Sequence, residues 1–528
     1  MADIADLVFF GDSLTDQGVL SALTSRAAIV TIPVPSAGYG TAFTNGPTHA
    51  QVLAGLLGAS SDNYAVGGAR AVGSQTLTQY LDPRIGGQIP GLDIYQEDAA
   101  QADLDFDINF GGQVQRFLTD VATTPVAPGT TAGFFIGLND YSDFAPTSPE
   151  TALAEATALV GEVVGNTIEA AAAATLAGVE TILFYTMPNF RFFPASTLQT
   201  PETLALGDQL VAAHNGALAE GGAFLETLGA EVRLIDLNRI SDEIGTDPAS
   251  FGLRADLFAS PALLTTGGNP TLVERPDGTW AAVFAPNPAV AGVDPGQLAF
   301  LDFVHPTASV HAIWGVFSAE TLTSETVLRG AGDDAVLGTR RDDLVLAGAG
   351  DDRVATGRGA DVILAGLGDD RVAAGSGADI VAGGAGRDVL LGGRGADVLA
   401  DGAGRDLVFG GRGADLLVDG AGFDRLHGGA GNDAFLLVDP ALTGGDPEAP
   451  AGRMFGGQGR DTLWLTLADE TRAAVEADWI PGAARQNLAA LGLETEGIER
   501  LVFLDPEEGP GAVATPARLE EALLWGFV

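Results

Sequence analysis

The sequence predicts two architectures in one chain: an α/β domain of three layers on a parallel sheet, then an all-β region of short stacked strands. Three observations predict this. Over residues 1–325, short β-rich runs alternate with alanine-rich helical stretches, the pattern of a parallel sheet covered by helices. From Asp334 to Asp433 an aspartate recurs every ninth residue, twelve times, each closing a glycine-rich turn such as Gly392-Gly393-Arg394-Gly395-Ala396-Asp397. After Pro440 that period lapses into a glycine- and proline-rich stretch. The expected segments are therefore 1–325, 326–440 and a flanking region, 441–528.

Taken in order, Leu7–Phe10 reads as a first strand that runs into Gly11-Asp12-Ser13-Leu14. Thr151–Leu176 reads as a helix closed by Gly178, and Thr181–Thr186 as a buried strand. Thr271–Arg275 and Thr279–Phe284 flank Pro276-Asp277-Gly278, which predicts a hairpin inserted in the α/β segment, part of a lid. In the periodic array, glycine permits the tight turn and leaves carbonyl oxygens exposed, and the aspartate adds a carboxylate. The three residues that follow, such as Val398-Leu399-Ala400, make a very short strand with an inward apolar residue. Two nonapeptides would make one coil. A glycine-rich linker would not hold an aspartate in phase with an aliphatic residue two places on. One isolated repeat, Gly456-Gly457-Gln458-Gly459-Arg460-Asp461, follows the array. The acidic, amphipathic end Leu519–Val528 reads as a terminal helix or an uncleaved export signal.

Composition bounds the function. With no cysteine, disulfides and thiolate metal sites are excluded. Net charge is −44, all basic residues are arginine, and residues 1–325 alone hold 36 acids against 9 arginines. Such a surface repels nucleic acid and anionic lipid. The longest apolar run, Ala170–Met187, is interrupted by Glu180, so no transmembrane segment is expected. A cleaved N-terminal signal is not expected either, because only Leu7-Val8-Phe9-Phe10 precedes Gly11-Asp12-Ser13-Leu14.

Four blocks in the first segment carry chemistry. They are Gly11-Asp12-Ser13-Leu14, Asn63-Tyr64-Ala65-Val66-Gly67-Gly68, Gly137-Leu138-Asn139-Asp140 and Asp302-Phe303-Val304-His305-Pro306-Thr307. In type and order they resemble the blocks of the GDSL, or SGNH, serine hydrolases, which implies a flavodoxin-like parallel sheet and esterase or lipase activity. A serine hydroxyl needs a base, and His305 is placed to serve. Asp302, three residues earlier, would hold the far imidazole nitrogen. No G-x-S-x-G elbow surrounds Ser13. The resemblance implies catalytic Ser13, Asp302 and His305, with an oxyanion hole of the Ser13 and Gly68 backbone N–H groups and the Asn139 amide. Gly67 competes with Gly68 for that place. His49 and His214 read as helix-surface or packing residues and His311 as structural. His427 reads as a substitution at a strand position, and Asp12, Asp16 and Asp140 as turn or hydrogen-bond anchors.

The nonapeptides resemble the RTX repeat, G-G-x-G-x-D-x-U-x, which implies a calcium-binding parallel β-roll. The implied ligands are Asp334, Asp343, Asp352, Asp361, Asp370, Asp379, Asp388, Asp397, Asp406, Asp415, Asp424 and Asp433, holding several structural Ca2+ ions between stacked turns. Together the two resemblances imply a secreted bacterial, calcium-dependent ester hydrolase exported by type I secretion machinery and acting on a small-molecule or lipid ester. In calcium-poor cytosol the acidic turns would repel one another and the roll would stay open; outside, calcium near 10⁻³ M suffices for weak extracellular modules. A carbohydrate acetyl esterase or phospholipase of the same family, and a calcium-binding adhesin with an inactive hydrolase domain, are the alternative readings.

Overall fold

Apolar runs too short for helices become the inner strands of a central sheet. β1 (Asp6–Gly11), β2 (Ser60–Asn63), β3 (Thr131–Phe135), β4 (Thr181–Tyr185) and β5 (Glu231–Ile235) lie parallel in the order β2-β1-β3-β4-β5. In this computed structural model the described residues are 4–28, 32, 42–84, 94–96, 99–142, 144–263, 271–274, 280–283, 286–291, 293, 297–438, 452–481, 483–504 and 525. The chain divides into two units, Met1–Asp242 with Asp256–Ala319, and Glu243–Ala255 with Glu320–Val528.

In the first unit, β3 and β4 are buried along their whole length, as strands covered on both faces must be, and β1 nearly so. Phe10 stacks on Phe134 at 4.9 Å and meets Phe117 edge-on at 5.4 Å, so β1, β3 and the helix Phe110–Thr123 share one aromatic core. The helix Ala152–Leu176 turns Ala156, Val160, Val163, Val164, Thr167, Ala171 and Ala174 inward, a stripe at helical spacing. It stops where expected: Gly178 has φ +108°, a conformation that favours glycine. The chain reverses direction across the sheet between β1 and β3, and ligands of such sheets bind beyond the carboxyl ends of the strands at that switch point. All of the β1, β2 and β3 carboxyl ends lead directly into the motif blocks. The hairpin forms as Thr271–Glu274 against Trp280–Val283, antiparallel, while its turn lies outside the described residues. No described helix is long and apolar enough to cross a membrane.

The second unit is a parallel β-roll. Successive coils superpose with an 18-residue register, Leu344 on Val362 and Val362 on Ile380, so two nonapeptides do make one coil. Strands alternate between two sheets, and the aliphatic residue two places past each aspartate points inward. Val354, Val372, Leu390, Val408, Leu426 and Met454 form one buried column; Val345, Ile363, Val381, Leu399, Leu417 and Phe435 form the facing one. The repeat at Gly456–Asp461 is separate in sequence but stacked in space. Gly457 pairs with Gly429, the register stretching to 28 residues, and the ladder continues to Arg500–Phe503. The inserted residues 439–451 lie outside the described residues, as does the Leu519–Val528 end apart from Trp525, which is buried.

Candidate active site

β1 delivers Ser13 through a turn that is pinned on both sides. The buried Gln113 side chain clamps Gly11, accepting its N–H at 3.0 Å and donating to its carbonyl at 2.7 Å. A Cβ on Gly11 would lie 2.3 Å from the Phe135 carbonyl oxygen, so only glycine fits where β1 passes β3. Asp12 closes the turn, its Oδ1 accepting the Leu14 N–H at 3.1 Å. Burial pushes its carboxyl up to about 7. Asp16 accepts the Gly18, Val19 and Leu20 N–H groups at 2.7, 2.6 and 3.1 Å, satisfying free donors at the start of the helix Val19–Ala27. The same carboxylate accepts the Gly67 N–H at 2.8 Å, tying the first block to the second.

Ser13, His305 and Asp302 meet although 292 residues separate serine and histidine. The Ser13 hydroxyl lies 3.0 Å from His305 Nε2, and His305 Nδ1 lies 2.8 Å from Asp302 Oδ2. The other carboxylate oxygen, Oδ1, accepts the Val304 and His305 backbone N–H groups at 2.8 and 2.9 Å. The three-residue spacing thus lets one carboxylate hold both the loop and the ring. Phe43 stacks on the imidazole at 4.8 Å. The helix Ala308–Thr323 after this loop starts where Asn45 Oδ1 accepts the Ala308 N–H at 2.7 Å.

The three oxyanion candidates are partly exposed. Gly68 has φ +77°, and a Cβ there would sit 2.3 Å from the Tyr80 ring. Its N–H has no protein acceptor among the described residues, whereas the Gly67 N–H is already committed to Asp16. Asn139 donates one amide hydrogen to the Ala69 carbonyl at 2.9 Å, which fixes the side chain and leaves its second hydrogen. The next residue, Asp140, accepts the Ala71 and Val72 N–H groups at 2.8 and 3.1 Å; burial raises its carboxyl to about 6. The second and third blocks are therefore bound together just behind the candidate donors.

Other histidines do not join this group. His49, His214 and His311 are buried, and burial pushes His49 down to about 3, His214 to about 4 and His311 well below the usual range. All three pack as neutral rings: His311 Nδ1 accepts the His49 N–H at 3.3 Å, and His214 Nδ1 lies 2.8 Å from the Tyr141 hydroxyl. His427 lies on the roll strand Asp424–Ala430, stacked between Phe409 and Phe455.

Residues 7–315 match the family model described as GDSL-like Lipase/Acylhydrolase. The chain belongs to that family. Its N-terminal unit is thus a hydrolase of the esterase/lipase type, and the four blocks at the β1–β3 switch point are where this GDSL hydrolase holds its polar groups. The model described as RTX calcium-binding nonapeptide repeat (4 copies) matches at 329–363, 356–390, 364–399, 383–417 and 409–436. No curated protein matches the chain.

The roll turns of the GDSL hydrolase fit calcium on their own chemistry. From Asp352 on, each in-phase aspartate uses Oδ1 to accept the N–H of the aspartate one coil earlier, as Asp406 does for Asp388 at 2.7 Å and Asp415 for Asp397 at 3.0 Å. The Oδ2 atoms of Asp370, Asp388, Asp397, Asp406, Asp415 and Asp433 are buried without a hydrogen-bond partner. Burial, with repulsion from neighbouring aspartates, raises Asp397 to about 8 and Asp370, Asp388, Asp406 and Asp433 to about 7. A row of orphaned hard oxygens suits a divalent cation with oxygen ligands. The first coil differs. Asp334 is partly exposed, and Thr339 donates to both oxygens of Asp343, at 2.7 and 3.0 Å. Gln113, Phe43 and Tyr80 carry no sequence signal that separates them from ordinary core residues. Asp401 and Asp419 do: each stands where neighbouring repeats begin with glycine or alanine.

Proposed function

We propose that this chain is a secreted, calcium-dependent serine ester hydrolase that works through an acyl-enzyme on Ser13. The Asp302–His305–Ser13 hydrogen-bond relay, 2.8 and 3.0 Å, carries the reading. Ser13 Oγ attacks the ester carbonyl while His305 Nε2 takes its proton, and Asp302 stabilises the imidazolium by holding Nδ1–H. The Ser13 and Gly68 N–H groups and the Asn139 amide receive the developing oxyanion. His305 returns the proton to the leaving alcohol, and water, activated by the same imidazole, releases the acid. The roll aspartates would hold Ca2+, which supplies charge compensation to the folded turns. Export of an open chain by type I machinery, and folding outside, accord with an array whose carboxylates repel until calcium arrives. The hairpin Thr271–Glu274/Trp280–Val283 is proposed as part of a lid.

Hydrolysis of a p-nitrophenyl ester chain-length series by wild type and Ser13→Ala tests this. The expected outcome is turnover that falls by roughly 10⁴-fold or more in the variant, with the chain-length optimum separating esterase from lipase. Turnover unchanged in Ser13→Ala would reject the acyl-enzyme.

A further inference from the structure

Within the roll, two acids occupy positions that elsewhere fill the core. In the sheet through Val345 and Ile363, the residue two past each inward aliphatic is Ala347, Ala365 and Gly383, then Asp401 and Asp419, then Leu437. Ala347, Ala365 and Leu437 belong to the buried apolar core, and Asp419 pairs in register with Leu437. Asp401 is 0% and Asp419 6% exposed. Both carboxylates are therefore inside, where an ionised group needs a partner.

The protein supplies almost none. Asp401 Oδ1 accepts the Gly420 N–H at 2.7 Å. Its Oδ2, both oxygens of Asp419 and Oδ2 of Asp424 are buried with no hydrogen-bond partner. One oxygen from each of the three carboxylates lies within 4.8 Å of the other two. That spacing suits ligands around one ion with bonds of about 2.3–2.6 Å. The ladder also opens here. The continuous strand Ile380–Gly386 gives way in the next coil to Val398–Ala400 and Ala403–Gly404, and then to Leu416–Asp419 and Ala421–Gly422. Oxygen donors alone, three of them anionic, select a hard divalent cation over a softer metal.

We propose that Asp401, Asp419 and Asp424 form an internal calcium site, tighter than the turn sites, that fills first and seeds the roll from within the array. The inference rests on calcium binding by the repeats and adds a site of different composition. An ordinary turn offers one orphaned carboxylate oxygen per nonapeptide; here three residues offer four. Calcium affinity rises with the number of charged ligands and the rigidity of the site. Because coils in such arrays are stabilised mainly by their neighbours, an early-filled coil templates those beside it.

The test is a calcium titration of the full chain against a chelator of known affinity, for wild type and Asp401→Gly/Asp419→Gly. The double variant restores the glycine found at Gly383, Gly392 and Gly410. Wild type should show about one site per chain bound about tenfold or more tighter than the rest. The variant should lose that class and keep the weaker ones. Equal stoichiometry and affinity in both chains would overturn the proposal, while no calcium binding by either would overturn it together with the wider calcium reading. Asp419→Asn, which keeps the volume, should lose the tight site with an unchanged calcium-saturated circular dichroism spectrum. A tight site retained in Asp419→Asn would overturn the proposal even where the double variant fails to fold.

Discussion

Ser13, Asp302 and His305 stand out as candidates because nucleophilic chemistry asks for a hydroxyl, a base and an orienting carboxylate, whereas Gly68 and Asn139 stand out only through resemblance to the family's blocks. What places them was not readable. Gln113 clamps Gly11 from 102 residues away, and Phe43 stacks on His305 from another part of the chain. Neither role leaves a local pattern. Sequence alone also left Gly67 and Gly68 in competition, whereas Asp16 occupies the Gly67 N–H. If Asn139 donates to the oxyanion, Asn139→Ala should lower kcat by roughly 10²–10³ with little change in fold; steady-state kinetics and circular dichroism check both parts. Asp12 gives a pH prediction. Its folded carboxyl is raised by burial to about 7. A group raised in the folded state contributes stability that is complete below its ordinary value and is lost as pH rises through the folded one. Thermal melts should therefore show the N-terminal unit losing stability between about pH 4 and 7, by a few kcal/mol at most. Asp12→Asn should flatten that slope. An unchanged slope would place the titration elsewhere.

At the scale of elements, legibility follows burial. β1, β4 and the helix Ala152–Leu176 were visible because continuous apolar runs and a helical stripe announce them. β2, the polar Ser60–Asn63, gives no such signal, since an edge strand is specified by its neighbour rather than by its own side chains. The roll is the opposite case. A nine-residue period with one glycine turn, one aspartate and one inward aliphatic fixes strand, turn and register together. Asp401 and Asp419 depart from that period, and the assembled core column shows that both carboxylates lie inside. Chelation probes this element directly. EGTA should abolish the roll's β signal in circular dichroism and leave the helical signal of the N-terminal unit largely intact, and calcium should restore it. Roll structure unaffected by EGTA would remove the calcium dependence.

For the whole molecule, charge is the organising quantity. A chain of net charge −44 with most roll aspartates buried cannot keep those carboxylates ionised and unpaired inside a folded core. On the proposed reading calcium binding becomes folding free energy for the second unit, while the first unit has an aromatic and aliphatic core of its own. On that same reading the α/β unit carries the chemistry and the roll carries the dependence on medium. The central claim is that Ser13 is an activated nucleophile. Labelling the calcium-saturated protein with a fluorophosphonate, which phosphonylates only such a serine, followed by peptide mass spectrometry, tests this most directly. The account predicts one adduct, on the peptide containing Ser13, absent in His305→Ala. No adduct, or one on another serine with Ser13 unmodified, would contradict it.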